Sequence, residues 1–126
     1  MLTDEVRKAI QELRASFADH HVDVEEDGQG GAYVTVHDLD FGARLSPARG
    51  WLGFIVGFHY PAADVYPLFG PPLTMADGST LTGPFQGAKW RDKPSTQISR
   101  RSNARRDEVD TAATKLTKVL EWLRTL

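Results

Sequence analysis

The sequence predicts an α+β fold in which a four-stranded antiparallel meander is flanked by an N-terminal and a C-terminal helix. Two amphipathic segments with helical periodicity lie at the ends of the chain, over residues 4–18 and about 107–126. Between them, strand-like segments follow one another with short connections, which favours antiparallel pairing of sequence neighbours. Because 126 residues suit one hydrophobic core, we expect a single domain over residues 1–126.

Each terminal segment has one apolar face. Thr3 is a candidate N-cap, and Asp4 and Glu5 occupy the first turn, where the helix dipole favours negative charge. The apolar residues of the first helix are Val6, Ile10, Leu13 and Phe17. The second helix is predicted to start at about Asp107, and its apolar residues are Val109, Ala112, Ala113, Leu116, Val119, Leu120, Leu123 and Leu126.

Three strands are predicted after the first helix. Residues 22–25 alternate between apolar and acidic, and residues 32–41 favour a strand, so the glycine-rich connection 27–31 predicts a hairpin. Residues 51–58 are predicted to be a central strand, because neither face of the segment WLGFIVGF is polar. One predicted face of that strand carries Leu52, Phe54, Val56 and Phe58.

Residues 60–72, called here the proline-rich cover, combine proline with apolar side chains. Proline cannot donate to a sheet ladder, so the segment interrupts regular structure. Its apolar residues are too numerous for a solvated linker: Tyr60, Val65, Tyr66, Leu68 and Phe69. We therefore expect the cover to pack rigidly on the body of the protein and to lead into a fourth short strand at residues 73–75.

Residues 76–103 show no regular periodicity and are predicted to form a long irregular loop, punctuated by glycine and proline. A loop of this length in a small domain is often functional.

Composition excludes several classes of function. The chain contains no cysteine, which excludes disulfides, thiolate metal sites and a cysteine nucleophile. It has no apolar run of about 18 residues, and its N-terminus is charged and amphipathic, so we expect no membrane span and a cytoplasmic location. A net charge of −2 also argues against nucleic acid as a partner.

Charge is distributed unevenly along the chain. Residues 1–40 hold ten acids against three bases, whereas residues 89–106 hold seven bases against one acid. This basic segment is the best candidate for binding an anion or an acidic partner, because arginine binds carboxylate and phosphate in a bidentate manner. The candidate binding residues are Trp90, Gln97, Ser99, Arg100, Arg101 and Asn103, together with His59 before the cover. The alternatives are a solvated basic loop with Trp90 as a buried plug, and a purely structural His59.

Several short motifs accompany this order of elements: Phe58-His59-Tyr60-Pro61, Tyr66-Pro67 and Pro71-Pro72. Together they resemble the ubiquitin-conjugating-enzyme-like superfamily, which includes RWD domains and inactive conjugating-enzyme variants. The residues Lys89-Trp90 and Gln97-Ile98-Ser99-Arg100 are also similar to a segment of some bacterial conjugating-enzyme-like proteins. Those proteins occur beside bacterial ubiquitin-like modifiers, adenylating enzymes and metalloprotease-type deconjugases.

The resemblance implies the frame of a conjugating enzyme without its chemistry. Active members carry a His-Pro-Asn tripeptide and a later cysteine that accepts the modifier as a thioester. Residues 78–89 read GSTLTGPFQGAK and hold neither, and a thioester needs a thiolate. We therefore expect a non-catalytic protein-binding module or scaffold, with a ubiquitin-like modifier or its activating enzyme as the implied partner.

A second function class stays open. A small enzyme or anion-binding protein would place its site in the 76–103 loop, with Ser99 or Ser102 beside the anion-binding Arg100 and Arg101. A serine within hydrogen-bond reach of His59 would favour it.

Two further possibilities concern metals and assembly. A metal site on the first hairpin would need His21 and His37 to meet beside Asp23 or Glu25, but no metal-binding motif is present, so no metal or cofactor is expected. Dimerisation could use Trp122 and Leu126, although the sequence does not determine the oligomeric state.

Overall fold

The computed structural model describes residues 1–102, 105–106 and 109–126. Within them the helices are α1 (Asp4–Ser16) and α2 (Ala112–Leu123). The strands are β1 (Val22–Glu26), β2 (Ala32–Asp40), β3 (Leu45–Ser46), β4 (Arg49–Val56), β5 (Leu68–Gly70), β6 (Thr74–Met75), β7 (Phe85–Trp90) and β8 (Lys93–Ile98). The predicted α+β class, with an N-terminal helix, an antiparallel sheet and a C-terminal helix, is confirmed. No helix among these residues is long and apolar enough to cross a membrane.

The main sheet is larger than the predicted four-stranded meander. It has six strands in the order β1-β2-β4-β5-β8-β7, and each recorded pairing is antiparallel. Strand β5 lies inside the proline-rich cover and takes the fourth position. The strand predicted at residues 73–75 instead becomes β6, which pairs with β3 in a separate two-stranded sheet.

The central strand is confirmed, because β4 lies between β2 and β5 and its side chains Leu52, Phe54 and Val56 are fully buried. These residues face the helices and form the centre of the core. The prediction for Phe58 is wrong: the strand ends at Val56, and Phe58 is 50% exposed in the turn that follows.

Both helices begin at a threonine cap. Thr3 Oγ1 accepts a hydrogen bond from the Val6 amide at 3.1 Å, as predicted. Helix α2 starts at Ala112, later than predicted, and Thr111 Oγ1 accepts from the Thr114 amide at 3.2 Å. The predicted start at Asp107 lies outside the described residues.

The proline-rich cover packs on the protein body, as predicted. Tyr60, Val65 and Leu68 are buried in the hydrophobic core. The Tyr60 hydroxyl accepts a hydrogen bond from the Ala112 amide at 3.1 Å, which satisfies an otherwise unpaired N–H at the start of α2. The cover therefore supports the start of the C-terminal helix together with the Thr111 cap.

The prediction of an irregular loop over residues 76–103 is wrong, because this stretch contains the β7–β8 hairpin. Its turn residues Arg91 and Asp92 have φ of 50° and 72°, as a two-residue hairpin connection requires. Local propensity did not reveal the strands, because glycine, alanine, lysine and proline are poor strand formers. Tertiary packing stabilises them: the Phe85 ring stacks on the Trp122 ring at 5.4 Å.

Candidate functional site

The structure divides the predicted binding residues among separate places. Arg100 and Arg101 lie in one groove beside α2, whereas Trp90 and Gln97 lie on the sheet face opposite the helices. His59 is exposed in the turn after β4. Asn103 lies outside the described residues.

A groove of about 470 Å³ separates residues 100–102 from helix α2. We call it the arginine groove. Its lining combines cationic side chains with one acidic and one aromatic residue: Arg100, Arg101, Ser102, Lys115, Lys118, Val119, Glu121, Trp122 and Thr125. The basic segment predicted from the sequence therefore contributes one wall, and the C-terminal helix contributes the other.

Both arginines of this groove are held against aromatic rings. The Arg100 guanidinium carbon lies 4.4 Å from the centroid of the Trp122 ring, and that of Arg101 lies 4.1 Å from the centroid of Tyr66. Stacking uses the flat face of a guanidinium and leaves its N–H edge available for bidentate bonding. Among the described residues, no carboxylate lies within ion-pair distance of either group. These two groups are therefore suited to an external carboxylate or phosphate.

A buried lysine positions the arginine wall. Lys115 is 6% exposed, and its ammonium donates to Asp64 Oδ2 at 3.1 Å, the Arg100 carbonyl at 2.7 Å and Ser102 Oγ at 3.0 Å. An ammonium has three protons, so its hydrogen-bonding capacity is filled. Lys115 therefore fixes residues 100–102 against α2 and is not a free cation of the groove.

Asp64 of the proline-rich cover completes this buried cluster. It accepts hydrogen bonds from the Ser102 amide and hydroxyl, each at 3.2 Å, and pairs with Arg105 Nε at 3.4 Å. Burial by itself would raise the pKa of the Asp64 carboxyl, but the bonds from Lys115 and Ser102 outweigh it, and the pKa lies below 3.8. Asp64 is thus held as a carboxylate that links cover, basic segment and helix.

Sequence reasoning missed this cluster, although one signal was present. Lys115 falls on the apolar face of α2, three residues after Ala112 and four before Val119. A lysine at such a position is almost never fully buried unless it is paired. Its partner Asp64 lies 51 residues away in the chain, and no local pattern connects the two.

The hydroxyls considered for catalysis have no histidine beside them. Ser99 Oγ accepts from Gln97 Nε2 at 3.0 Å, and Ser102 is held by the buried cluster. The His59 ring packs against Phe58 with ring centroids 3.9 Å apart, and the described contacts give it no hydrogen bond to a serine. The described residues therefore contain no serine paired with a histidine base.

Trp90 lies in a packed aromatic cluster on the sheet face opposite the helices. It is 5% exposed. Its ring stacks on the Phe69 ring with centroids 5.1 Å apart and makes a T-shaped contact with the Tyr33 ring, with centroids 5.9 Å apart. A Cβ atom at Gly53 would lie 2.6 Å from the Trp90 ring, so glycine is needed there for close packing. The structure thus favours the buried-plug alternative for Trp90.

The first hairpin brings two histidines onto one carboxylate. Asp23 Oδ1 and Oδ2 each lie 2.7 Å from Nε2 of His21 and His37 respectively. The hydrogen bond to His37, assisted by that to His21, lowers the pKa of the Asp23 carboxyl. The hairpin thus brings the two histidines together at Asp23, but the part of the chain that the structure describes contains no group of three side chains arranged to hold a metal ion.

Comparison of the chain with protein-family models, with curated proteins and with solved structures found no match.

Proposed function

We propose that the protein is a non-catalytic binding module on a ubiquitin-conjugating-enzyme-like frame, and that its arginine groove holds an acidic segment of a protein partner. The observation that carries the proposal is the pair Arg100 and Arg101, two aromatic-stacked guanidinium groups at one groove without a carboxylate partner among the described residues. A ubiquitin-like modifier or its activating enzyme is the partner that the sequence resemblance implies.

The absence of a cysteine thiol supports a binding role. The chain has no cysteine to carry a thioester, and the described serines near the groove lack a histidine base. The proline-rich cover packs on the hydrophobic core through Tyr60, Val65 and Leu68, which gives the groove a fixed support.

An acidic protein segment fits this groove better than nucleic acid. Glu121 lines the groove and Asp110 pairs with Lys118 at its rim, so a long polyanion would meet carboxylates as well as guanidinium groups. Trp122 is covered by Arg100, so its ring is not a free stacking platform for bases. A short segment with one or two carboxylates meets fewer of these repulsive groups.

The test compares partner capture by the wild-type protein with capture by the double variant Arg100→Glu/Arg101→Glu, followed by titration of the purified partner in a calorimeter. Arg44→Glu is the matched control, because Arg44 is exposed and lies outside the groove lining. Since a charge-assisted hydrogen bond contributes roughly 1.5–3 kcal/mol, we expect at least about a hundredfold loss of affinity in the double variant and little change in the control.

Two results would contradict the proposal. The first is a partner that binds the double variant as tightly as the wild type. The second is a covalent adduct formed when the protein is incubated with an activated ubiquitin-like modifier.

The alternative of a small anion-binding protein rests on the same two guanidinium groups, which suit phosphate as well as carboxylate. Titration with inorganic phosphate separates the two functions. Saturation at submillimolar phosphate, with no protein partner captured, would favour the alternative.

A further inference from the structure

Strand β7 has no partner on its outer edge among the residues that the structure describes. It is the last strand of the sheet, and its other side pairs with β8. The Ser99 amide donates to the Pro84 carbonyl at 2.7 Å, so Pro84 and Ser99 are a hydrogen-bonded pair. Because such pairs alternate along an antiparallel ladder, the even-numbered residues of β7 bond to β8. The backbone groups of Phe85, Gly87 and Lys89 therefore point away from the sheet, and the described residues supply no hydrogen bond to them.

This edge is held in place by packing at both of its ends. The tight turn at Arg91 and Asp92 fixes the register of the hairpin, and Trp90 is buried at the end of β7. At the other end, Phe85 stacks on Trp122 of helix α2 with an interplanar angle of 10°. An added strand would therefore meet an ordered template and would lose entropy mainly on its own side.

Gly87 has no structural reason to be glycine. Its φ is not in the left-handed region, and a Cβ atom there would meet nothing within 4 Å. Glycine inside a strand lowers stability and often marks a site where another backbone approaches closely. Gly87 lies in the middle of the unpaired edge, where such an approach would occur.

A groove of about 250 Å³ opens beside Gly87, on the sheet face that carries Phe85. Leu73 and Leu81 contribute its apolar wall, and Thr96 lines it from β8. Its size and its apolar wall suit an inserted side chain more than a separate small-molecule ligand.

Charge distinguishes this edge from the opposite edge of the sheet. Lys89 is exposed, and the described residues contain no carboxylate within ion-pair distance of it. The opposite edge strand, β1, carries Asp23, Glu25 and Glu26. Each of these carboxylates already has a partner: Asp23 contacts His21 and His37, Glu25 pairs with Arg91 in the turn after β7, and Glu26 pairs with the N-terminal ammonium. Among the described residues, Lys89 has no such partner, so it favours an acidic side chain placed opposite it.

We propose that the β7 edge binds an extended segment of a partner protein, which adds to the sheet as a seventh strand. Backbone hydrogen bonds form at Phe85, Gly87 and Lys89, as in other cases of strand addition. An apolar side chain opposite Gly87 enters the groove, and an acidic side chain two positions away lies opposite Lys89. This site is separate from the arginine groove and does not depend on it.

The probe is the octapeptide acetyl-Thr-Val-Thr-Glu-Thr-Val-Thr-Glu-amide, whose valines and glutamates share one face when the chain is extended. We expect it to shift the amide NMR signals of Phe85, Gly87 and Lys89 and to slow hydrogen exchange at Gly87 and Lys89. A version with lysine in place of glutamate should bind about tenfold more weakly. A version N-methylated at alternate residues should not bind, because it cannot donate to the edge.

Variants at the edge separate its features. Gly87→Pro removes one outward N–H and keeps the ladder to β8, so affinity should fall at least about tenfold. Gly87→Ala keeps the N–H and serves as the matched control for folding. Lys89→Glu should reverse the preference between the glutamate and lysine peptides, which keeps the test decisive if Gly87→Pro fails to fold. Arg44→Glu, at an exposed position outside the groove beside Gly87, should bind the octapeptide as the wild type does.

The proposal is overturned if the octapeptide causes no shifts at millimolar concentration, or if a folded Gly87→Pro variant binds it unchanged. Sedimentation supplies a third outcome. Concentration-dependent self-association that Gly87→Pro abolishes would assign the edge to a second copy of this chain instead.

Discussion

Replacement of Asp64 by Asn tests how the proline-rich cover, the arginine wall and helix α2 are held together. The substitution keeps the size of the side chain and removes the charge that offsets the Lys115 ammonium. Lys115 is 6% exposed, so water cannot replace the lost carboxylate without local opening. The variant should therefore fold, but with lower stability.

The magnitude follows from the remaining contacts. Breaking a buried ion pair by removing one partner costs roughly 3–5 kcal/mol. The Asp64 side chain is 19% exposed, and Lys115 keeps the Arg100 carbonyl and the Ser102 hydroxyl, so we expect about 2–3 kcal/mol for Asp64→Asn. Lys115→Met should cost less, about 1–2 kcal/mol, because Asp64 keeps Arg105 and Ser102 as partners.

The two changes should not be additive. Asp64→Asn/Lys115→Met leaves no buried ammonium without a carboxylate, so its cost should lie close to that of Lys115→Met alone. The coupling in this double-mutant cycle should therefore be about 2–3 kcal/mol in magnitude, the cost of Asp64→Asn alone. Urea unfolding followed by tryptophan fluorescence measures each free energy of unfolding, provided that the m value is constant across the set.

An exposed ion pair provides the control. Asp38→Asn breaks the Asp38–Arg49 pair, whose side chains are 77% and 54% exposed, and should leave the unfolding midpoint unchanged. Asp64 does not hold these elements together if Asp64→Asn destabilises the protein as little as this control, or if the effects of the Asp64 and Lys115 changes simply add.

The same cluster predicts a dependence of stability on pH. Burial opposes ionisation of Asp64, but its hydrogen bonds prevail and lower its folded-state pKa below 3.8. Its stabilisation is therefore fully present above that value and is lost as pH falls through the folded-state pKa. Urea midpoints measured from neutral pH to below 3.8 should fall less steeply for Asp64→Asn than for the wild type; parallel profiles would contradict the assignment.

Other substitutions test the frame around the sites. Gly53→Ala should destabilise the protein by about 1–3 kcal/mol and change the near-ultraviolet dichroism of Trp90, because the new Cβ would overlap the ring; Gly57→Ala, with open space at its Cβ position, is the control. Equal unfolding midpoints for these two variants would show that Trp90 is not tightly packed. Tyr60→Phe should cost about 1–2 kcal/mol by leaving the first amide of α2 unpaired, and unchanged stability would show that this bond is dispensable. Thr3→Ala should lower the free energy of unfolding in urea by about 1 kcal/mol, because the α1 cap is lost. An unfolding midpoint equal to that of the wild type would argue against that cap.

Both proposed binding sites belong to the segment that the charge distribution first marked. The arginine groove lies at its C-terminal part, and the β7 edge with Lys89 lies at its start. Helix α2 connects them, because Trp122 lies under Arg100 and also against Phe85. A partner with an acidic segment and an extended segment could occupy both sites, and the separate variants measure each contribution.

The parts of the fold that the sequence predicted are those with a strong local signal. Periodicity marked both helices, the cap Thr3 and the central strand, whose apolar faces are typical of an interior position. The density of proline and aromatic residues predicted that the cover would pack on the body, and Tyr60 is buried there. Charge distribution predicted the basic wall that carries Arg100 and Arg101, because the excess of arginine and lysine in this segment is read directly from the sequence.

Tertiary structure decided what depends on contacts between distant residues. Strands β7 and β8 contain weak strand formers and are stabilised by the stacking of Phe85 on Trp122 and the packing of Trp90 over Gly53, which no local pattern records. The Asp64–Lys115 link likewise joins a loop to a helix across 51 residues. Sequence alone thus determined the class of the fold and the basic character of the site, because propensity and charge are local properties. Three features arise only when remote segments pack together. They are strand β7 at the end of the sheet, the edge that β7 exposes, and the buried cluster that orients Arg100 and Arg101.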